Sequence, residues 1–290
     1  MSVYIAPLHN PKVKPGTSAK ALLENLGMNT GNMVFENSVR RQINYDDAIQ
    51  ITQLLREREE LKPSKVVIPS STFLNPAGDF EYYASVIEKL DCEIILVGVG
   101  VHLGRYVPVR EFASSLTQGT KRFVEIVSER SSAIGCRGGY TADVLNCLGH
   151  RSVQIVGCPS VYNYKPPVFR DGRESICLTI EPYSRTSGKL FEFARKNQHA
   201  IVMQTKWEMI DSELERSFSD FRNLYKLRSL EEAPALQFYR ESCNLFSDSR
   251  TWKEFLGDFS FVLGSRFHGN AIALQAGLPA LWISHDIRLR

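Results

Sequence analysis

The sequence predicts an α/β protein built from two Rossmann-like domains with a cleft between them, and three observations carry that reading. Short apolar runs alternate with amphipathic helical stretches along nearly the whole chain, the pattern of a parallel sheet. The alternation stops once, at the proline- and glycine-bearing stretch NYKPPVFRDGRE (residues 163–174), and then resumes. A length of 290 residues exceeds most single cores, which favours two domains over one. The expected domains are residues 1–165 and 172–290. Polar residues at the strand ends of two such sheets would converge on the cleft.

Composition removes several functions. With 43% apolar and 23% charged residues the chain is an ordinary globular one. Its 35 basic and 32 acidic side chains leave only +3, too little and too dispersed for nucleic acid, yet suited to small anions. No apolar run has the length of a membrane span. Residues 1–5 lack the basic start and long apolar core of a signal peptide, so a cytoplasmic location is expected. Six scattered cysteines form neither a C-x-x-C pair nor a His-flanked cluster, so neither zinc nor a disulfide framework is expected, and those inside apolar segments, as Cys177 is, read as small hydrophobes. No cofactor is expected.

In the first domain, residues 2–8 alternate as a strand, and Pro11, Pro15 and Gly16 end it. A glycine-containing loop, Gly27 to Asn32, follows. Residues 46–60 place Ala48, Ile51, Leu54 and Leu55 on one helical stripe, with a solvated charge cluster at residues 56–60. Residues 65–69 predict a strand, 80–90 a helix and 93–101 a strongly apolar strand. Gly98, Gly100 and Gly104 have the wrong spacing for a dinucleotide fingerprint, and no suitably placed acid follows. His102 stands at that strand's end, where open α/β sheets bind ligands. A helix over 120–130 and a strand over 133–136 then lead to Arg137, with Thr141 as the expected cap of the next helix. Residues 153–156 close the domain as a strand.

The second domain repeats the scheme. Residues 175–180 and 200–204 predict strands, and residues 187–197 a helix with Leu190, Phe191 and Ala194 inward. Residues 207–232 are charge-rich and mostly helical in pattern, and 235–239 suit a short strand. Residues 259–286, FSFVLGSRFHGNAIALQAGLPALWISHD, hold the most informative pattern. A buried strand stops at Gly264, a helix starts near Gly269 and ends at Gly277-Leu278-Pro279, and Ser265, Arg266 and His268 lie between. A cation and an imidazole beside the free N–H groups of a helix start make an anion pocket. If the strand extends through them, Arg266 and His268 share a face and Phe267 points to the core. His285-Asp286 is a second polar pair at a strand end, and Tyr162 and Tyr164 are candidates for stacking on a sugar.

These motifs together resemble the polysaccharide pyruvyl transferase family. The segment Gly264-Ser265-Arg266-Phe267-His268-Gly269, with Ala271 to Ala280 after it, is similar to the family's closing signature. Asn29-Thr30-Gly31-Asn32 resembles its N-x-G-[DN] loop, Cys136-Arg137-Gly138-Gly139 its strand-end arginine, and Gly157-Cys158-Pro159 its G-[DC]-P segment. The aspartate often found after that arginine is Gly138 here, so no carboxylate is carried over.

The resemblance implies a glycosyltransferase type B-like fold. It also implies further chain after strand 280–283, so the second domain is expected to be truncated relative to the family. It implies transfer of a pyruvyl group from phosphoenolpyruvate to two hydroxyls of a glycan acceptor, leaving a ketal and releasing phosphate. A lipid-linked acceptor would bring the protein to a membrane surface, and no pattern speaks to oligomeric state. His268 and His102 are the expected proton carriers. Arg266 and Arg137 are expected to fork onto the donor's phosphate and carboxylate, with Ser265, Gly269, Asn32 and Gly31 lining the site. Two rivals share the fold: a nucleotide-sugar-dependent glycosyltransferase and a non-catalytic carbohydrate-binding relative.

Overall fold

The computed structural model describes residues 2–8, 18–169, 175–227 and 231–284. Each of its two units is organised on one parallel sheet. In the first, the strands are β1 (Val3–Ile5), β2 (Asp47–Ala48), β3 (Lys65–Pro69), β4 (Glu93–Val99), β5 (Ile134–Cys136) and β6 (Val153–Ile155), in the order β2-β1-β3-β4-β5-β6. The second sheet comprises β7 (Ile176–Thr179), β8 (Ala200–Val202), β9 (Cys243–Asn244), β10 (Phe261–Gly264) and β11 (Ala280–Trp282), in the order β11-β10-β7-β8-β9. Every strand pair is parallel. The α/β class expected from the alternation is the one observed.

Hydrophobic burial explains both sheets. The strands β3 and β4 put Val66, Ile68, Ile94 and Leu96 against Phe123, Val124 and Val127 of the helix Gln118–Arg130, all nearly inaccessible. That helix starts where Thr117 accepts a hydrogen bond from the Thr120 N–H at 3.2 Å, an N-cap that satisfies one orphan donor. In the second unit, Leu178 and Ile201 pack with an aromatic group of Phe191, Phe221, Tyr225 and Phe238. A further cluster joins Cys177, Val202 and Val262 to Trp252 and Ile272.

That cluster also contains Leu22, Leu26, Met33 and Val34. The chain divides so that Val13–Val34 belongs with the second unit and Phe35–Tyr162 with the first. Leu22 and Leu26, roughly 150 to 240 residues upstream, complete the apolar contacts around β7, β8 and β10, so the second unit draws on an N-terminal stretch outside the expected residues 172–290. The helix Asn32–Arg40 runs unbroken across the division.

Local departures have local causes. Residues 235–239, expected as a strand, lie in the helix Glu232–Ser242. Glu232 and Pro234 suit a helical first turn, and Ala235 and Phe238 are buried one helical turn apart. The helix after β5 is Gly139–Cys147 with Gly138 at its N-cap, so Thr141 is inside the helix and buried rather than capping it. Residues 46–60 are not one helix: Asp47–Ala48 pairs with β1, and helices Ile51–Arg56 and Arg58–Leu61 follow. The six cysteines are free thiols.

Glu36, in the unbroken helix, is 3% exposed, and burial lifts its carboxyl to about 8 against the opposing pull of Arg40. The folded chain thus holds a proton that the unfolded chain loses above the ordinary value of 4.5. Stability must fall as pH rises between those values and level off above about 8. Glu36→Gln should flatten this dependence and raise stability at pH 8.5 by on the order of a few kcal/mol. Urea midpoints at pH 5 and 8.5 check it, and parallel pH profiles for both proteins would sink it.

Candidate active site

The site is built where the second sheet reverses direction. Strand β7 has β8 on one side and β10 on the other, so the connections leave in opposite senses and open a crevice beyond the carboxyl ends. Gly264 ends β10 against Thr179, the last residue of β7. A Cβ there would lie 2.0 Å from the Thr179 carbonyl oxygen, so only glycine lets the strands approach. The Thr179 carbonyl then accepts from the N–H groups of both Ser265 and Arg266, at 2.8 and 3.2 Å. Asn270, wholly buried, donates its amide to the Gly264 and Arg266 carbonyls at 2.9 and 3.1 Å. The turn is held by hydrogen bonds on both sides.

The helix that follows is Phe267–Gln275, with Arg266 at its N-cap in extended conformation and no side-chain cap. The strand ends two residues before Arg266, so the expected shared face of Arg266 and His268 does not form. Phe267 is instead the first helical residue, partly buried against Trp282 at 6.0 Å between ring centroids. His268 occupies the second helical position, half-buried, among the leading N–H groups that have no partner within a helix.

Arg266 is 8% exposed and its guanidinium is committed inside the protein. Its Nε donates to the Ile180 carbonyl at 3.2 Å, Nη1 meets Glu181 at 3.0 Å and Nη2 meets Glu208 at 2.6 Å. Desolvation alone would favour its neutral form, but the two carboxylates outweigh that and push its pKa up. Glu208 is fully buried and accepts five hydrogen bonds: from the Gln204 and Thr205 N–H groups, the Thr205 hydroxyl, Arg266, and the Tyr225 hydroxyl. Burial, and then Glu208, hold the Tyr225 phenol well above its ordinary pKa, so it remains a donor. The expectation of a fork free to grip the donor is thereby replaced: both arms are occupied by carboxylates.

His268 faces different neighbours. A Cβ on Gly31 would lie 2.7 Å from His268 Nδ1 and 2.7 Å from Gln204 Oε1. A Cβ on Gly269 would lie 2.6 Å from Thr179 Cγ2 and 2.9 Å from Gln204 Nε2. At Gly269 the Thr179 side chain leaves no room for a Cβ, whereas at Gly31 a Cβ would displace the side-chain ends of Gln204, His268 and Asn29. The 29–32 loop reaches this place because the Thr30 N–H donates to the Gln204 carbonyl at 2.8 Å and Asn29 bridges Thr205. Three buried polar atoms, Thr30 Oγ1, Thr179 Oγ1 and Gln204 Nε2, have no hydrogen-bond partner in the protein. Such atoms cost about 1–3 kcal/mol each if left unpaired, and the three lie together beneath the helix start.

The expected residues thus separate. Arg266, His268, Ser265, Gly269, Gly31 and Asn32 are all in the second unit. Within it, Ser265 accepts from the Glu181 N–H at 2.8 Å and Asn32 donates to the Leu26 carbonyl at 2.7 Å, which makes both scaffold contacts rather than lining groups. Arg137 and His102 belong to the first unit. Arg137 donates to the Gly98 and Ser70 carbonyls at 2.7 and 2.9 Å and so ties β4 and the end of β3 together. His102 is exposed on the rim of a cavity of about 240 Å³ with Arg105, Glu111 and Ser115. His285 and Asp286 lie outside the described residues.

Sequence reading missed Glu181, Gln204 and Glu208. Glu208 had a signal: Thr205 three residues earlier makes a capping box, and both of its hydrogen bonds are present. Glu181 carried none beyond its place one residue past an apolar strand.

Comparison with known proteins bears on this arrangement. No curated protein matches the chain. Among solved structures, a S. aureus MnaA–UDP co-structure is similar at 12% identity and a TM-score of 0.47, covering 99% of this chain and 81% of that one. A putative UDP-N-acetylglucosamine 2-epimerase from Listeria monocytogenes is similar at 10% identity and 0.46, covering 99% and 80%. The UDP-GlcNAc 2-epimerase from Neisseria meningitidis bound to UDP-GlcNAc follows at 13% and 0.44, covering 97% and 82%. The family model for polysaccharide pyruvyl transferase matches residues 20–287, which takes in the Gly31 loop, Arg137 and the whole Arg266–His268 turn. The chain belongs to the polysaccharide pyruvyl transferase family.

Proposed function

We propose that the chain transfers the pyruvyl group of phosphoenolpyruvate to two hydroxyls of a sugar in a polysaccharide or its lipid-linked precursor. The observation that carries this reading is the helix start at Phe267, which sets His268 and N–H groups without a side-chain cap beside Gly31 and the unpartnered amide nitrogen of Gln204. N–H groups at a helix start bind phosphate and stabilise charge as phosphate departs. His268 supplies an imidazole, the side chain suited to both giving and taking a proton.

The reaction balances without a cofactor. One acceptor hydroxyl adds to the enol carbon while the methylene carbon takes a proton and becomes methyl. The second hydroxyl then displaces phosphate, and its proton leaves with it. Each step moves a proton to or from an oxygen or carbon, which is the work assigned to His268. His102 of the first unit is the second candidate. Arg266 acts from beneath as a positioning residue: it fixes the turn through Glu181 and Glu208 and keeps positive charge near the helix start.

Thermal shift with phosphoenolpyruvate, and in parallel with nucleotide sugars, tests the donor. Stabilisation by phosphoenolpyruvate, together with phosphate release when a glycan acceptor is added, is the expected result. Stabilisation by nucleotide sugars alone would favour a glycosyltransferase and overturn the proposal.

A further inference from the structure

The loops after β7 and β8 each turn a carboxylate inward and an aromatic ring outward. Glu181 and Glu208 bind Arg266, whereas Tyr183, two residues beyond the first, is 62% exposed and Trp207, one residue before the second, is 40% exposed. The two rings border a cavity of about 420 Å³ whose lining includes Asp220 and Asn223 of the helix Phe218–Leu224. That volume lies within the range of small-ligand sites.

The groove is built rather than incidental. Trp207 sits in the 3-10 turn Lys206–Glu208, whose capping box with Thr205 is the buried anchor of Arg266. Arg216 donates to the Trp207 carbonyl at 3.2 Å and its guanidinium lies 5.4 Å from the indole centroid, while the Lys206 ammonium lies 4.4 Å from it. An indole fixed in this way offers an apolar surface at low entropic cost, and the partly exposed Lys206 can swing off it. Beside it, a carboxylate and an amide provide acceptors and donors for hydroxyl groups. Apolar C–H faces edged by hydroxyls are the surface chemistry of a pyranose ring.

We propose that this groove is a saccharide subsite that holds one pyranose ring of the acceptor against Trp207 and Tyr183. The naming of that saccharide as acceptor rests on the function proposed above. The same two loops carry the ring platform and the carboxylates of Arg266, so the glycan is held at the carboxyl ends of β7 and β8, in register with the turn that presents His268.

The test titrates the full chain with methyl β-glucoside, methyl β-galactoside and N-acetylglucosamine, with UDP as a separate arm, following tryptophan fluorescence and ligand-observed NMR. Of the three tryptophans Trp252 is wholly buried and Trp282 partly so, whereas Trp207 is exposed, and the difference between the wild type and Trp207→Phe isolates the Trp207 signal. A saccharide is expected to bind, with Kd raised roughly tenfold in Trp207→Ala, about 1.4 kcal/mol. Trp207→Phe should recover most of that loss, and the acceptor KM should rise while donor half-saturation stays fixed. If Trp207→Ala misfolds by circular dichroism, Tyr183→Ala, at a more exposed position, carries the same test. No saccharide binding, binding untouched by either variant, or binding of UDP alone would overturn the subsite. Saccharide binding that Trp207→Ala removes, in a protein that forms no ketal, would sustain the subsite and sink the reaction. Ketal formation with an unaltered acceptor KM in Trp207→Ala would do the reverse.

Discussion

Glu208→Ala should destabilise the second unit by about 3–5 kcal/mol, because it strips a buried carboxylate from a buried guanidinium. The side chain is fully inaccessible and satisfies five donors, among them Tyr225 and Arg266. Alanine would leave Arg266 with Glu181 and the Ile180 carbonyl, and would orphan the Tyr225 hydroxyl. Arg266→Lys tests the same network from the other side: a single ammonium cannot serve both carboxylates and the Ile180 carbonyl. Urea denaturation of the two single variants and the double variant gives the coupling between them. A coupling within error of zero would show that the pair is not the anchor its geometry describes. Because loss of fold and loss of chemistry both lower turnover, Glu208 variants should be assayed only on the fraction that remains folded.

The second large effect is chemical. Substituting His268 by alanine is expected to lower turnover by roughly a hundredfold or more while stability changes little, since the imidazole is half-buried at a helix start. The contrast with Glu208 is diagnostic. Turnover measured with saturating phosphoenolpyruvate and acceptor, alongside an unfolding curve, separates the two behaviours. An unchanged rate would reduce His268 to a packing neighbour of Gly31.

Much of this was legible beforehand, and the exceptions share a cause. The parallel strands β3, β7 and β10 stood out because each is a compact apolar run with turn residues at its ends. The strands β2 and β9 did not, being two residues long and adjacent to helices that dominate any periodicity. At the site, the helix start and His268 were read from local spacing alone. The partners of Arg266 were not, because Glu208 and Glu181 are 58 and 85 residues away in the chain, and no local pattern encodes a pairing of that range. Arginine at a strand end promises an anion; which anion depends on what the other strands bring. Here two carboxylates of the protein itself arrive first.

The placement of Leu22, Leu26, Met33 and Val34 among Val202, Trp252 and Ile272 has a temporal consequence. During synthesis these residues leave the ribosome before all of the first sheet except β1, yet their partners Val202, Trp252 and Ile272 emerge roughly 170 to 250 residues later. The earliest part of the chain must therefore wait, its leucines exposed, while the first unit assembles in between. Non-local pairing of this kind slows folding and lengthens the interval in which apolar surface is open to aggregation or chaperones. A separately expressed piece beginning near residue 172 would never receive those leucines or the Gly31 loop, and would emerge both under-packed and without the backbone that packs against Gln204 and His268.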